Sequence, residues 1–127
     1  MQFLVDPRLV RAFQVLFWLA LVFACVMAFL PKPPHTPLDR FGDKIQHMIA
    51  FATLAGLATL AFGREARWRI IERLCSLGAV IEVVQSISWL NRTSDVRDWL
   101  ADCIVVIIAV AVTAMFVPDR ARPAGEV

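Results

Sequence analysis

The sequence predicts an all-α fold, an integral membrane bundle of four transmembrane helices with both termini in the cytoplasm. Two observations carry this prediction. Hydrophobic residues make up 59% of the 127-residue chain, and they fall into four long blocks with almost no charge. A typical soluble domain is only about 45–50% apolar and gives each element a polar face. The blocks have 17 to 19 residues, which is close to the length of about 20 residues that a membrane-spanning helix needs.

The first block, Ala12–Leu30, contains no charged residue and comes after Arg8 and Arg11. A cleaved signal peptide has a shorter apolar core of about 7–15 residues, so we expect an uncleaved membrane anchor. Residues 1–11 are predicted to be a cytoplasmic N-terminal segment. The stretch Pro31–Lys44 contains four prolines and is predicted to be an extended loop.

Three further blocks complete the predicted membrane domain of residues 12–117: Ile45–Phe62, Leu74–Leu90 and Trp99–Val117. Runs of this length exceed an ordinary strand, and the alternation of a β-barrel is absent, so helices are expected. The third block is the shortest, and its helix is expected to include Ile70 and Ile71 as well. The basic stretch Gly63–Arg73 and the polar turn Asn91–Asp98 are predicted connections, and residues 118–127 a disordered cytoplasmic tail.

The distribution of lysine and arginine predicts the orientation. Eight of these residues fall on the side of the termini and the middle connection, against five on the side of the other two connections. The positive-inside rule then places both termini in the cytoplasm. The net charge of +2 is too small to indicate a nucleic-acid partner. Because tyrosine is absent, an interfacial aromatic belt must use the four tryptophans: Trp18, Trp68, Trp89 and Trp99.

Polar residues of the membrane domain concentrate in its outward-facing half. Nine of them form the predicted ligand-binding site: Asp43, Lys44, His47, Glu82, Gln85, Arg92, Asp95, Asp98 and Asp102. Helical spacing puts Asp43 and His47 on one face, and Glu82 and Gln85 on another. Asp43 and Lys44 are equally compatible with solvated loop residues, and Asp95 with a helix cap.

Glu82 is the most informative of these residues. It is expected about eight residues from the outer end of its helix, at a depth of roughly 12 Å by helical rise. An isolated charge at such a position costs about 2.5–3.5 kcal/mol or more. We therefore expect Glu82 to pair with Arg92 or His47, or to bind a proton. His47 and the neighbouring carboxylates are also suitable ligands for zinc or manganese. A single histidine with carboxylates from separate segments is weak evidence, so neither a metal nor a cofactor is predicted.

Three motifs resemble the VanZ-like family of membrane proteins. The stretch from Asp43 through His47 to Phe51 resembles the family's DKxxHxxxF segment. Glu82 to Gln85 resembles its ExxQ motif, and Arg92 with Asp95 and Asp98 resembles its R-x-x-D-x-x-D turn. The similarity covers residues 40 to 110, including the order and spacing of the motifs. Asp102 and Val105 stand where the family usually has asparagine and glycine.

The family takes its name from a protein linked to low-level resistance to teicoplanin, a lipidated glycopeptide antibiotic. The resemblance and the outward polar site together predict a cell-envelope protein that binds a lipid head group or a lipidated envelope or antibiotic molecule. Arg92 would meet a phosphate or carboxylate of this ligand. Small residues at Ala52 and Gly56 are compatible with a homo-oligomer.

Three other functions stay open from the sequence. The alternative to ligand binding is a small proton-coupled transporter in which Glu82 carries the proton. A membrane enzyme would use His47 and a carboxylate as acid and base. A purely structural role would make the polar residues an interhelical clamp, with each hydrogen bond contributing about 0.6 kcal/mol.

Overall fold

A computed structural model of the chain describes residues 6–29, 42–86 and 96–118. Within these ranges the chain forms helices and no strands, so the all-α prediction is confirmed. The helices are α1 (Pro7–Phe29), α2 (Gly42–Phe62), α3 (Arg67–Gln85) and α4 (Val96–Phe116), with a short 3-10 turn at Arg64–Ala66 between α2 and α3.

Three of the helices are long and apolar enough to cross a membrane: α1, residues Ile45–Phe62 of α2, and α4. The 23 residues of α1 and the 21 of α4 extend about 35 and 32 Å at 1.5 Å per residue, against a hydrocarbon core of about 30 Å. Their large apolar side chains point outward, with Phe23 65% and Ile108 57% exposed. An apolar surface of this extent fits lipid rather than water. These helices are consistent with a multi-pass membrane protein.

The third helix differs from its prediction. Helix α3 begins at Arg67, so it contains Ile70 and Ile71 as predicted. It begins earlier than expected, because most of the predicted basic connection Gly63–Arg73 supplies its first two turns. Because four charged residues lie in those turns, α3 is not among the helices of the described chain that are apolar enough to span a membrane. It ends at Gln85, and residues 87–90 lie outside the described ranges. Glu82 is therefore in the last turn of α3, not about eight residues from its end as the sequence predicted.

Capping chemistry explains where α1 starts, and a glycine explains where α2 ends. Asp6 caps α1, because its Oδ1 accepts a hydrogen bond of 2.8 Å from the backbone N–H of Arg8. Pro7 occupies the first helical position, where its missing N–H costs nothing. Helix α1 thus begins five residues before the predicted apolar block, inside the segment predicted to be a cytoplasmic N-terminus. Gly63 ends α2 with a φ of 86°, a conformation that side-chain-bearing residues rarely adopt, and α3 starts four residues later.

Helix α2 packs against both α1 and α4, and its contacts show how these two helices run relative to it. The rings of Phe17 in α1 and Phe62 in α2 meet edge to face with centroids 5.5 Å apart, while Ala28 lies near His47 at the other end of the pair. Helix α1 is therefore antiparallel to α2. Helix α4 is parallel to α2, because Asp102 lies near His47 and the Thr113 side chain lies against Gly56.

These directions define two ends of the bundle. The His47 end contains the first turns of α2 and α4 and the last turns of α1 and α3. The Arg69 end contains the first turns of α1 and α3, the last turns of α2 and α4, and the connection between α2 and α3. The names His47 end and Arg69 end are used in this sense throughout.

Small residues allow α2 and α4 to pack closely. A Cβ added at Gly56 would lie 3.6 Å from Oγ1 of Thr113, which is ordinary van der Waals contact. Gly56 is thus used inside the chain, although the sequence suggested that it was available to a second copy. The hydroxyl of Thr59, buried on the same helix, donates a hydrogen bond of 2.8 Å to the carbonyl oxygen of Ala55. The helix therefore satisfies this polar group without water.

Trp99 joins α4 to α3. Its Nε1 donates a hydrogen bond of 2.9 Å to the carbonyl oxygen of Cys75, and its ring covers Gly78. The sequence predicted Trp99 in an interfacial belt, but the structure places it in a helix–helix contact. Trp18 and Trp68 are 55% and 71% exposed and fit the predicted belt, whereas Trp89 lies outside the described residues.

Candidate functional site

Three helices bring one ionisable side chain each to a common point at the His47 end. His47 comes from α2, Glu82 from α3 and Asp102 from α4, and one ligand atom of each lies within 4.8 Å of the others. Nδ1 of His47 is 3.9 Å from Oδ2 of Asp102. These three side chains are called the polar centre. The predicted convergence of polar groups from three helices is therefore present for these residues.

The polar centre is largely removed from the surface. The side chains of Asp102 and His47 are 4% and 19% exposed, and Glu82 is 9% exposed. Two carboxylates this close together repel each other, and the repulsion is strong where apolar side chains exclude water. A protonated imidazole, a proton on one carboxylate or a bound cation relieves it. The chemistry of the polar centre is therefore the chemistry of binding protons or positive charge.

A small cavity lies beside His47 between α1, α2 and α3. Its volume is about 30 Å³, and Ala28, Phe51 and Leu54 are among the apolar residues that line it. A cavity needs a volume of roughly 10–15 Å³ to hold one water molecule, which also requires two to four polar partners. His47 is the main polar group of the lining, so the cavity offers fewer polar partners than a buried water molecule needs.

Gln85, a predicted ligand residue, connects two helices. Its Nε2 donates a buried hydrogen bond of 3.0 Å to the carbonyl oxygen of Ala28. The last four carbonyl groups of a helix have no partner within it, and Ala28 lies next to the last residue of α1. Gln85 thus satisfies an orphaned carbonyl in a place where lipid offers no substitute.

Gln85→Met is expected to loosen the end of α1 and to lower the free energy of unfolding by about 0.6–2 kcal/mol, the range for interhelical hydrogen bonds in membranes. Methionine keeps the length of the side chain but cannot donate the hydrogen bond. The measurement is unfolding in mixed detergent micelles. Gln14→Met, on a half-buried position of α1, is the matched control and should change little. Equal stability of the two variants would contradict the role given to Gln85.

The polar centre has the donor set of a metal site. An imidazole nitrogen and two carboxylate oxygens suit zinc and manganese. With bonds of about 2.0–2.1 Å, the ligand atoms of a tetrahedral zinc site stand roughly 3.4 Å apart. The distance of 3.9 Å between His47 and Asp102 is longer by about 0.5 Å, which small side-chain rotations can close. The three ligand atoms lie within 4.8 Å of one another, so the residues fit such an ion by donor type and would have to move closer to bind it. The absence of a metal stays a prediction from the sequence.

The other predicted site residues are less directly placed. Asp98 lies in the first turn of α4, one turn before Asp102, where the helix dipole favours a carboxylate. Helix α4 begins at Val96, one residue after Asp95, so Asp98 and Asp102 are the members of the predicted stripe of aspartates that lie in it. The remaining predicted positions lie outside the described side chains: Asp43, Lys44, Arg92 and Asp95.

The sequence reasoning missed a second feature, a half-open cavity of about 490 Å³ at the Arg69 end. Arg69 and Arg73 line it together with apolar residues of α1, α2 and α3. The available signal was the spacing of the two arginines, which puts them on one face of a helix beside Leu74 and Leu77.

Comparison of the chain with protein-family models, with curated proteins and with solved structures finds no match.

Proposed function

We propose that this protein is a VanZ-like protein of the bacterial cell envelope and that its polar centre binds the head group of an amphiphilic molecule. The observation that carries the proposal is the meeting of His47, Glu82 and Asp102, from three helices, within 4.8 Å. Ionisable residues inside a membrane bundle are costly to bury, so they are typically kept for binding or transport.

The charge of the polar centre favours one class of head group. Two carboxylates accept hydrogen bonds and attract positive charge, while the imidazole donates or accepts according to its protonation. A head group with N–H or O–H donors fits this arrangement, as do the ammonium of ethanolamine and the hydroxyls of a sugar. A lipidated glycopeptide of the teicoplanin type offers similar donors. A phosphate would face both carboxylates, so we assign it to Arg92, whose planar guanidinium group matches the geometry of a phosphate.

The proposed topology has four spans in the bacterial cytoplasmic membrane, with both termini inside. The proposed third span is the apolar block Leu74–Leu90 of the sequence, of which the structure describes the part in α3, up to Gln85. The polar centre then lies at the outward-facing end, and the Arg69 end faces the cytoplasm. The excess of arginine at the termini and between α2 and α3 supports this orientation. The antiparallel pairing of α1 with α2 supports the sequence of spans, because successive spans must alternate in direction.

The test is native mass spectrometry of the full chain in a mild detergent with added phosphatidylethanolamine. Glu82→Gln should retain the lipid at least about tenfold less than the wild type, because a hydrogen bond to a charged group contributes about 1.5–3 kcal/mol. Glu72→Gln changes an exposed glutamate on the same helix, in the half away from the polar centre, and should retain the lipid normally. Equal retention by all three proteins, or by none, would overturn head-group binding of this class.

A divalent metal ion is a second candidate for the same polar centre. The specific observation in its favour is the donor set itself, one imidazole nitrogen and two carboxylate oxygens close enough to converge. With a neutral His47, two carboxylates balance the charge of one divalent ion. The ion would complete its coordination with water or with a ligand atom. Zinc and lipid binding are measured side by side for the wild type, Glu82→Gln and Asp102→Ala. The ligand that the wild type binds and both variants lose identifies the occupant of the polar centre.

A further inference from the structure

The cavity at the Arg69 end is a groove between α1 and α3. Helix α1 packs mainly on α2 and touches α3 much less, so a gap of about 490 Å³ is left between them. Phe17 and Leu21 from α1 and Leu77 from α3 are among the apolar residues that line it. From Arg69 to Leu77 the groove follows nine residues of α3, a rise of about 12 Å along the helix axis.

The polar part of the groove consists of two arginines. Arg69 and Arg73 both line it, are both exposed, and stand one helical turn apart on one face of α3. A guanidinium group binds phosphate through two parallel hydrogen bonds, and two such groups about 6 Å apart along the axis can share one phosphate. The nearby glutamates, Glu65 and Glu72, are not among the lining residues.

A tryptophan indicates that these arginines lie at the level of the membrane interface. Trp68 precedes Arg69 and is 71% exposed, and the guanidinium carbon of Arg67 lies 5.8 Å from the centroid of its ring. Exposed tryptophan and arginine are characteristic of the layer in which lipid head groups lie. The apolar part of the groove continues from this layer toward the middle of the bundle.

We propose that this groove binds one anionic phospholipid. Its phosphate is held between Arg69 and Arg73, and one acyl chain lies along Phe17, Leu21 and Leu77. The groove combines a positively charged mouth with an apolar interior, which matches a lipid that carries net negative charge. Basic pockets between transmembrane helices on the cytoplasmic side bind anionic head groups in this way. This site lies at the opposite end from the polar centre, so it stands independently of the function proposed there.

The test is lipid competition on the full chain in mild detergent, followed by native mass spectrometry. With equal amounts of phosphatidylglycerol and phosphatidylcholine added, the wild type should retain phosphatidylglycerol at least about tenfold better. Raising the salt concentration should reduce this preference, because salt screens the arginines. Equal retention of the two lipids by the wild type would overturn the proposal without any variant.

Variants assign the preference to the groove. The double change Arg69→Gln and Arg73→Gln should abolish the preference for phosphatidylglycerol. Arg67→Gln removes an equal charge on the same helix from a residue that does not line the groove, and should leave most of the preference intact. Leu21→Trp should reduce retention of the lipid by filling the groove. A preference for phosphatidylglycerol that survives both the double change and Leu21→Trp would contradict the site. A wild-type dimer that Leu21→Trp dissociates would also contradict it, because a second copy of the chain would then occupy the groove.

Discussion

Replacing Asp102 by alanine is expected to lower the zinc affinity of the purified protein at least about 100-fold. Loss of a residue that only supports a metal ligand typically costs 10–100-fold, and Asp102 would be a direct ligand. The change corresponds to about 2.8 kcal/mol at 1.4 kcal/mol per factor of ten. Competition with a chromophoric chelator measures the affinity in detergent, and elemental analysis of the purified protein gives the bound ion.

The pattern across variants distinguishes a metal site from a nonspecific loss. His47→Ala and Glu82→Gln should weaken zinc binding to a similar extent as Asp102→Ala, because each removes one of three ligands that lie within 4.8 Å. Glu72→Gln, an exposed carboxylate in the other half of α3, should bind zinc like the wild type. The wild-type affinity should fall as the pH is lowered, because protons compete with the ion for the imidazole and the carboxylates. Zinc affinity that no variant of the polar centre changes would rule out this metal site.

The polar centre was predictable because charges are rare inside apolar blocks. Each of His47, Glu82 and Asp102 is the one acidic or basic residue in its apolar block. Once antiparallel helices are assumed, their positions put all three in the same half of the bundle. Because burying a charge is costly, ionisable side chains inside a bundle are stabilised when they lie next to each other. The helical topology alone therefore indicates where the three side chains come together. The distances and the degree of burial required the structure.

The start of α3 was mispredicted because charge was used as a sign of a loop. Arginine and glutamate are good helix formers, so four charged residues do not interrupt a helix. The residue that interrupts the helix here is Gly63, whose φ of 86° ends α2. The role of Gln85 was not predictable either. Its partner is a carbonyl of Ala28, 57 positions away, and only the packing of α1 against α3 brings the two together.

Gly78→Leu is expected to separate α3 from α4 and to lower the free energy of unfolding by about 3 kcal/mol, at the upper end of the cost of overpacking. A Cβ added at Gly78 would lie 3.2 Å from Cδ1 of Trp99 and 3.4 Å from Cζ of Phe51. The three further carbons of leucine have no space beyond these rings. Moving Trp99 away also breaks its hydrogen bond of 2.9 Å to the carbonyl oxygen of Cys75. Unfolding in mixed micelles, followed by tryptophan fluorescence, measures the loss.

Two further variants tie this loss to the tryptophan ring. Gly56→Ala, where the added carbon would be 3.6 Å from Oγ1 of Thr113, should be tolerated and gain about 1 kcal/mol of helix propensity. In a Trp99→Ala background, Gly78→Leu should cost much less than in the wild type, because the ring that it displaces is gone. Such a coupling energy is characteristic of residues in direct contact. If Gly78→Leu is equally costly in both backgrounds, the contact with Trp99 is not what limits the size of residue 78.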